Sequence, residues 1–265
     1  MIMPTKSIRK AAMAGTFYPE DGAELHHALQ RYLKDGHGAG SPPKAIIAPH
    51  AGYIYSGPVA GSAFKAWTDI RGKVDCVVLV GPSHRVVFKG IALPDADFFA
   101  TPLGLLPVDK DACEKLRSLP FVRIYNAAHI HEHSVETHLP FIQETLGETP
   151  IVPLVVGDAD PREVAQLIDT FWERPGVVFS ISSDLSHYLT YDEARRVDAD
   201  TTAAIEHNQC NRIGPDRACG WLPILGLLHV IKRRGKHARA LDVRNSGDTA
   251  GDRYRVVGYG AYAVE

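Results

Sequence analysis

The sequence predicts an α/β fold, a single domain over residues 1–265 with a mainly parallel central sheet. Three observations predict it. Short apolar runs alternate with segments of helical spacing, the order expected of strands joined by crossover helices. The runs are nearly continuous rather than alternating, as strands buried on both faces require. Finally, 23 glycines and 18 prolines are spread along the chain, which indicates many turns in one unit rather than a long linker.

The elements follow in order. Residues 21–33 carry Leu25, Ala28, Leu29 and Leu33 at helical spacing behind Asp21, a residue type suited to capping a helix, and the pattern breaks at Asp35-Gly36. After the linker-like stretch 36–43, residues 44–48 form a short strand, then a Gly-rich loop, then a helix over 59–68. Residues 74–80 make a second strand ending in Gly-Pro-Ser-His. Strand 151–156 precedes a helix at 161–173, and strand 177–182 runs into Ser-Ser-Asp-Leu-Ser-His before a helix near 191–207. Residues 222–233 read as a buried helix, and 238–243 and 254–264 as two closing strands.

A formal net charge of −2 removes the general electrostatic case for nucleic acid or an anionic membrane as partner. The longest lipid-like stretch, 222–231, contains Pro223 and His229 and is far shorter than the ~20 residues that span a bilayer. The N-terminal residues lack the apolar region of a secretory signal, and Cys76, Cys113, Cys210 and Cys219 form no C-x-x-C pair. A soluble, cytoplasmic, reduced protein is expected. Histidine is the unusual count: 13, more than cysteine, methionine and tryptophan together. Neutral imidazole is the commonest metal ligand and titrates near neutral pH, so a metal or proton-transfer site is worth seeking.

In open α/β sheets ligands bind beyond the carboxyl ends of the strands. Those ends supply His50, His84, Asp184 with His187, and Asp248. Two histidines and a carboxylate form the ligand set of a non-haem Fe(II) site and also suit Zn or Mn. Each has a plainer reading: Asp184 is also placed to cap a helix, and Asn245-Ser246-Gly247-Asp248 is also ordinary turn chemistry. A second cluster, 132–141, is rich in His and Glu but is not H-E-x-x-H. For His133, Glu136 and His138 the expected role is support of a metal site or contact with substrate. Phe17, Tyr18, Tyr53 and Tyr55 are candidates for the pocket mouth, where rings stack on a ligand, with core packing as the plainer alternative. Entry motifs for serine hydrolases, P-loop enzymes and Rossmann dehydrogenases are absent.

Taken together, Ala14-Gly15-Thr16-Phe17-Tyr18-Pro19, Ala48-Pro49-His50-Ala51-Gly52-Tyr53 with Tyr55-Ser56-Gly57, Gly81-Pro82-Ser83-His84, Glu132-His133-Ser134 to Pro140-Phe141, and Ser182-Ser183-Asp184 to His187 resemble the Memo family. Its prokaryotic members are called AmmeMemoRadiSam system protein B. That family is similar to the LigB-like class III extradiol dioxygenases, which use non-haem Fe(II). The resemblance implies an αβα-layered domain, metal ligation by His50 and His84, and an acid/base role for His187 with Asp184 beside it. Animal members place a Cys at the third ligand position; alignment through the Asn-Ser-Gly-Asp segment puts Asp248 there, with none of the four cysteines near. Such a carboxylate would favour Fe(II), with Cu or Zn as alternatives. Three functions follow as expectations: an iron-dependent oxidoreductase, a metal-dependent hydrolase on the same ligands, or a non-catalytic metal- or peptide-binding protein. The expected ligand is a small molecule or peptide, and the group's name implies a functional link to a radical SAM protein and an AMMECR-type protein.

Overall fold

The computed structural model describes residues 6–265; the first five residues of the segment read for a secretory signal lie outside the described residues. The chain begins with β1 (Ile8–Arg9), α1 (Gly22–Asp35), β2 (Ala45–Ala48), α2 (Tyr53–Lys65) and β3 (Cys76–Pro82). A middle section follows with β4 (Ile91–Leu93), β5 (Phe98–Thr101), β6 (Gly104–Pro107), α3 (Lys110–Leu116), β7 (Val122–Ile124), α4 (Ala127–Ile130) and α5 (Leu139–Leu146). The last third holds β8 (Ile151–Val156), α6 (Pro161–Trp172), β9 (Val177–Ser182), β10 (His187–Leu189), α7 (Tyr191–Glu206), α8 (Trp221–Arg233), β11 (Ala238–Asn245) and β12 (Val256–Val264).

Nine strands form the central sheet, in the order β10-β12-β2-β9-β3-β8-β4-β7 with β11 also paired to β12. The four in the middle, β2, β9, β3 and β8, are parallel, and every residue in them is buried, as their unbroken apolar runs require. β4, β10, β11 and β12 add antiparallel pairings, and β4 and β7 pair parallel at one edge, so the sheet is mixed around a parallel centre. β1, β5 and β6 form a small separate sheet. The crossover from β2 through α2 to β3 and the one from β8 through α6 to β9 travel in opposite directions along the sheet. Because such crossovers are right-handed, α2 and α6 cover opposite faces. One continuous apolar cluster joins the layers.

Local sequence explains the helix ends. Asp21 accepts hydrogen bonds from the backbone N–H groups of Ala23 and Glu24, and Asp160 with Glu163 forms a capping box at α6. α2 differs from expectation: it starts at Tyr53 rather than at residue 59, so Gly57, read as loop, lies inside the helix together with Gly61. They are there for close packing. A Cβ on Gly57 would sit 2.6 Å from the Tyr32 ring, and one on Gly61 would sit 2.4 Å from the Tyr32 carbonyl oxygen, so α1 could not approach α2 past larger residues. No helix among the described residues is long and apolar enough to cross a membrane.

The parallel centre brings four strand ends to one edge. Ala48 pairs with Ser182 and Pro82 with Val156 in register, so the loops after β2, β9, β3 and β8 emerge side by side.

Candidate metal centre

His50 follows β2 and is held from two directions. Its backbone N–H donates to Asp184 Oδ1 at 2.8 Å, and its Nδ1 lies 2.7 Å from Ser182 Oγ. The Ser182 hydroxyl donates to the Ser134 carbonyl oxygen, which can only accept, so Ser182 Oγ accepts from His50 Nδ1–H. The lone pair of His50 therefore sits on Nε2. Near the end of β3, Gly81 lets the 132–135 loop press onto the strand: a Cβ there would lie 2.6 Å from Ser134 Oγ. That approach delivers Glu132 to His84. The Glu132 carboxylate accepts from the His84 backbone N–H at 2.6 Å, His84 Nδ1–H at 2.9 Å, and the backbone N–H groups of His133 and Ser134 at 3.0 Å each. His84 too is left with its lone pair on Nε2.

Ligand atoms of His50, His84 and His133 lie within 4.8 Å of one another. The ring centroids are 5.1 Å apart for His50 and His84, 5.2 Å for His50 and His133, and 4.4 Å for His84 and His133. Side-chain exposure rises from 1% at His50 through 14% at His133 to 27% at His84, so the cluster is closed at its base and open at one rim.

Electrostatics keep His50 and His133 neutral. Burial, then repulsion among the neighbouring imidazoles, holds His50 well below the usual histidine range. Burial and His84 bring His133 down to about 4. Burial alone would raise Glu132, but its hydrogen bonds and the charge of His84 outweigh it and bring the carboxyl to about 2. A permanent carboxylate bonded to the Nδ1 of an imidazole is the support that metal-bound histidines commonly have. His133 Nδ1 is buried and makes no hydrogen bond, although Glu132 Oε1 lies 3.3 Å away. The donor set and its supports fit a divalent metal ion.

Cys219 is the residue that sequence reasoning placed away from the site. Its Sγ lies 3.2 Å from His50 Nε2 and receives the Asp184 backbone N–H at 3.3 Å. Burial and the Asp184 carboxylate push the thiol up, whereas hydrogen bonds from Asp184, Ser183 and Gly220 act the other way. A signal was available in Cys219-Gly220-Trp221-Leu222-Pro223: the cysteine directly precedes a helix that packs on β3 and β9.

The third-ligand reading of Asp248 is corrected. Asp248 is exposed in the 3-10 turn after β11, where Oδ2 accepts the Asn245 N–H at 3.0 Å and Oδ1 accepts the Tyr191 hydroxyl at 2.5 Å. Its oxygens serve the turn itself, and His133 is the third member of the cluster instead. Asp184 is buried beneath His50 rather than capping a helix, and burial raises it above the usual carboxylate range. His187 lies at the exposed rim on β10, Nδ1 bonded to the Leu185 carbonyl oxygen at 2.8 Å, near enough to influence both His50 and Asp184.

Two of the aromatics expected at a pocket mouth are core residues. Tyr18 is buried with its hydroxyl on Glu136 at 2.5 Å, and Tyr53 is buried with its hydroxyl on the Thr137 carbonyl oxygen at 2.6 Å. Phe17, 4.9 Å from the His133 ring, and Tyr55 are half-buried. Glu136 serves the N-terminal segment: it pairs with Arg9 and accepts the N–H groups of Ala12 and Met13. His138 uses both ring nitrogens, on Ser180 Oγ at 2.9 Å and the Pro49 carbonyl oxygen at 3.1 Å, so it steadies the backbone before His50 and has no lone pair for a metal.

Comparison with known proteins agrees over nearly the whole chain. Relatives described as MEMO1 family proteins include one from Aeropyrum pernix, 35% identical over 281 residues, covering 97% of this chain and 99% of the relative. Another from Aquifex aeolicus is 33% identical over 263 residues, covering 95% and 97%. The crystal structure of uncharacterized protein JW3007 from Escherichia coli K12 shares the fold, with TM-score 0.54 and 13% identity over 81% of this chain and 98% of that one. The Memo family, described as Memo-like protein, matches residues 9–263, and this chain belongs to it.

Proposed function

We propose that this Memo-family chain is a metal-dependent oxidoreductase whose centre is built on His50, His84 and His133, with Cys219 in reach. One observation carries the reading: Ser182 and Glu132 take the Nδ1 hydrogens of His50 and His84, which leaves Nε2 of both for a ligand in a cluster that also holds a third imidazole, with a thiol 3.2 Å from His50 Nε2. Three imidazoles and a sulfur suit iron, copper and zinc. Without Asp248 the argument from a carboxylate ligand falls away; iron remains first on the resemblance to extradiol dioxygenases. When bound, the metal would bring oxidant and substrate together and supply the redox chemistry.

The chain's own groups supply the rest. His187, with Nδ1–H committed to Leu185, presents Nε2 to give or take a proton at the rim. Asp184 orients His50 through the backbone, and the neutral His50 ring does not repel a cation. A peptide-binding role loses support because Tyr18 and Tyr53 are spent in the core. The substrate is therefore read as a small molecule. A reducing cytoplasmic setting belongs to the same proposal, supported by four free cysteines.

The test is purification under oxygen-free, reducing conditions, followed by metal analysis and oxygen uptake with catechols and other chelating diols. Retained iron or copper with substrate-dependent oxygen uptake supports the reading. Zinc-stimulated ester or amide cleavage without any need for oxygen would replace it with a hydrolase.

A further inference from the structure

The orientation of His187 depends on one peptide group. The Leu185 carbonyl oxygen accepts His187 Nδ1–H at 2.8 Å, and the Ser186 N–H of that same peptide group donates to Asp198 Oδ1 at 3.0 Å. The C=O and N–H of a trans peptide are held in one plane and point in opposite directions. Asp198, on α7, and His187, at the rim, therefore sit at the two ends of a single rigid plane. β12 grips the neighbouring atoms: the Leu185 N–H donates to the Gly258 carbonyl oxygen and the Gly258 N–H to the Ser186 carbonyl oxygen, each at 2.8 Å. Neither of these bonds involves the two atoms that face Asp198 and His187, so the tilt of the plane is left to the carboxylate.

The fold makes room for this arrangement. Asp198 is 2% exposed, and a Cβ on Gly258 would lie 2.0 Å from its Oδ2, so any residue but glycine there displaces the carboxylate. The chain beyond His187 supplies little steadying of its own. Tyr188 has φ 60°, which a bulky L residue adopts only where its surroundings impose it, and the pairing of β10 with β12 shifts register between His187 and Leu189. A hydrogen bond to the N–H end of a peptide also makes its carbonyl a stronger acceptor. We propose that Asp198 is a positioning residue for His187, acting through the 185–186 peptide: it keeps the Leu185 carbonyl turned to Nδ1–H and so leaves the Nε2 lone pair free at the rim to take a proton. The use of that proton rests on the oxidoreductase reading above, whereas the tautomer is a property of the metal-free protein.

Proton–nitrogen NMR of metal-free protein with isotope-labelled histidine reads which ring nitrogen carries the hydrogen, at pH ~8, where an ordinary imidazole is neutral. His187→Gln identifies the signal by its loss. The parent should show His187 as Nδ1–H, and so should Asp198→Asn, whose amide oxygen still accepts the Ser186 N–H. Asp198→Ala should move the hydrogen to Nε2 or spread it over both nitrogens, because the bond that selects the tautomer is released. Gly258→Ala should do the same with the carboxylate chemically intact. His129, whose Nε2 bonds the buried Ala92 carbonyl oxygen at 3.1 Å, keeps its Nε2–H signal in a folded variant and so separates lost positioning from lost fold. His187 remaining Nδ1–H in folded Asp198→Ala overturns the proposal; if that variant does not fold, the same result in Gly258→Ala overturns it. Loss of Nδ1–H in folded Asp198→Asn overturns it too. Absence of oxygen uptake in the parent fails the oxidoreductase reading alone and leaves the tautomer result standing.

Discussion

Two polar turns at strand ends, Asn245 to Asp248 after β11 and Pro49 to Gly52 after β2, each offered a candidate ligand, yet they came to opposite uses. At His50 the surrounding groups take Nδ1 and leave Nε2 facing other donors. At Asp248 both carboxylate oxygens are used by the turn and Tyr191. β2 lies within the parallel centre, flanked by β9 and backed by the 132–138 segment, whereas β11 pairs only with β12 at the margin. A ligand atom is thus made by what its neighbours leave unsatisfied, and the centre of the sheet has more neighbours. His138 makes the same point inside the core, since its two nitrogens are both committed.

The sharpest break in this contrast is metal content. His50→Ala should lose essentially all bound metal, while Asp248→Ala should keep the parent's amount, both measured by elemental analysis of protein prepared without oxygen. Equal loss in the two variants would return Asp248 to the centre. Glu132→Gln should weaken metal affinity by ~10–100-fold, because the support of His84 is lost while the ligand remains; competition with a chelator measures it. Cys219→Ser should retain metal but move preference from copper toward harder ions, read as the ratio of copper to iron taken up from an equimolar mixture. Asp248→Asn keeps most of the turn and should shift Tm by no more than ~2 °C, the size of a small surface contribution in a chain of this length.

The smallest effect concerns pH and separates core histidines from the centre. Burial brings His129 and His138 down to about 4. Below the ordinary histidine value of ~6.5 the unfolded chain takes up protons that these folded rings refuse, so their contribution lowers stability as pH falls from ~6.5 toward 4. Asp198, which burial raises to about 6, has the opposite sign: its contribution is lost as pH rises through that value. His129→Gln should therefore flatten the decline of unfolding free energy between pH 6.5 and 4 in urea titrations. An unchanged slope would mean that His129 is protonated in the folded chain.

Much of the centre was legible because strand periodicity and the strand-end rule need only local information. The runs 151–156 and 177–182 coincide with β8 and β9, and the same reasoning picked His50 and His84. The middle section was hardly legible. β4 to β7 are three or four residues each, too short to show a period, and all but the β5–β6 hairpin depend on pairing with distant strands. α2 was read late because Gly57 signals a turn locally, while its actual purpose, like that of Gly61, is contact with Tyr32 on another helix.

By itself the sequence determined the buried parallel strands, the edge where they end and two of the three clustered histidines, since each follows from side-chain type at a fixed spacing along one segment. Tertiary structure alone decided that His133 joins them, that Cys219 stands 3.2 Å from His50, and that Asp248 does not take part. Those outcomes depend on which hydrogen-bonding atoms distant segments satisfy and which they leave free, and no local pattern records that division.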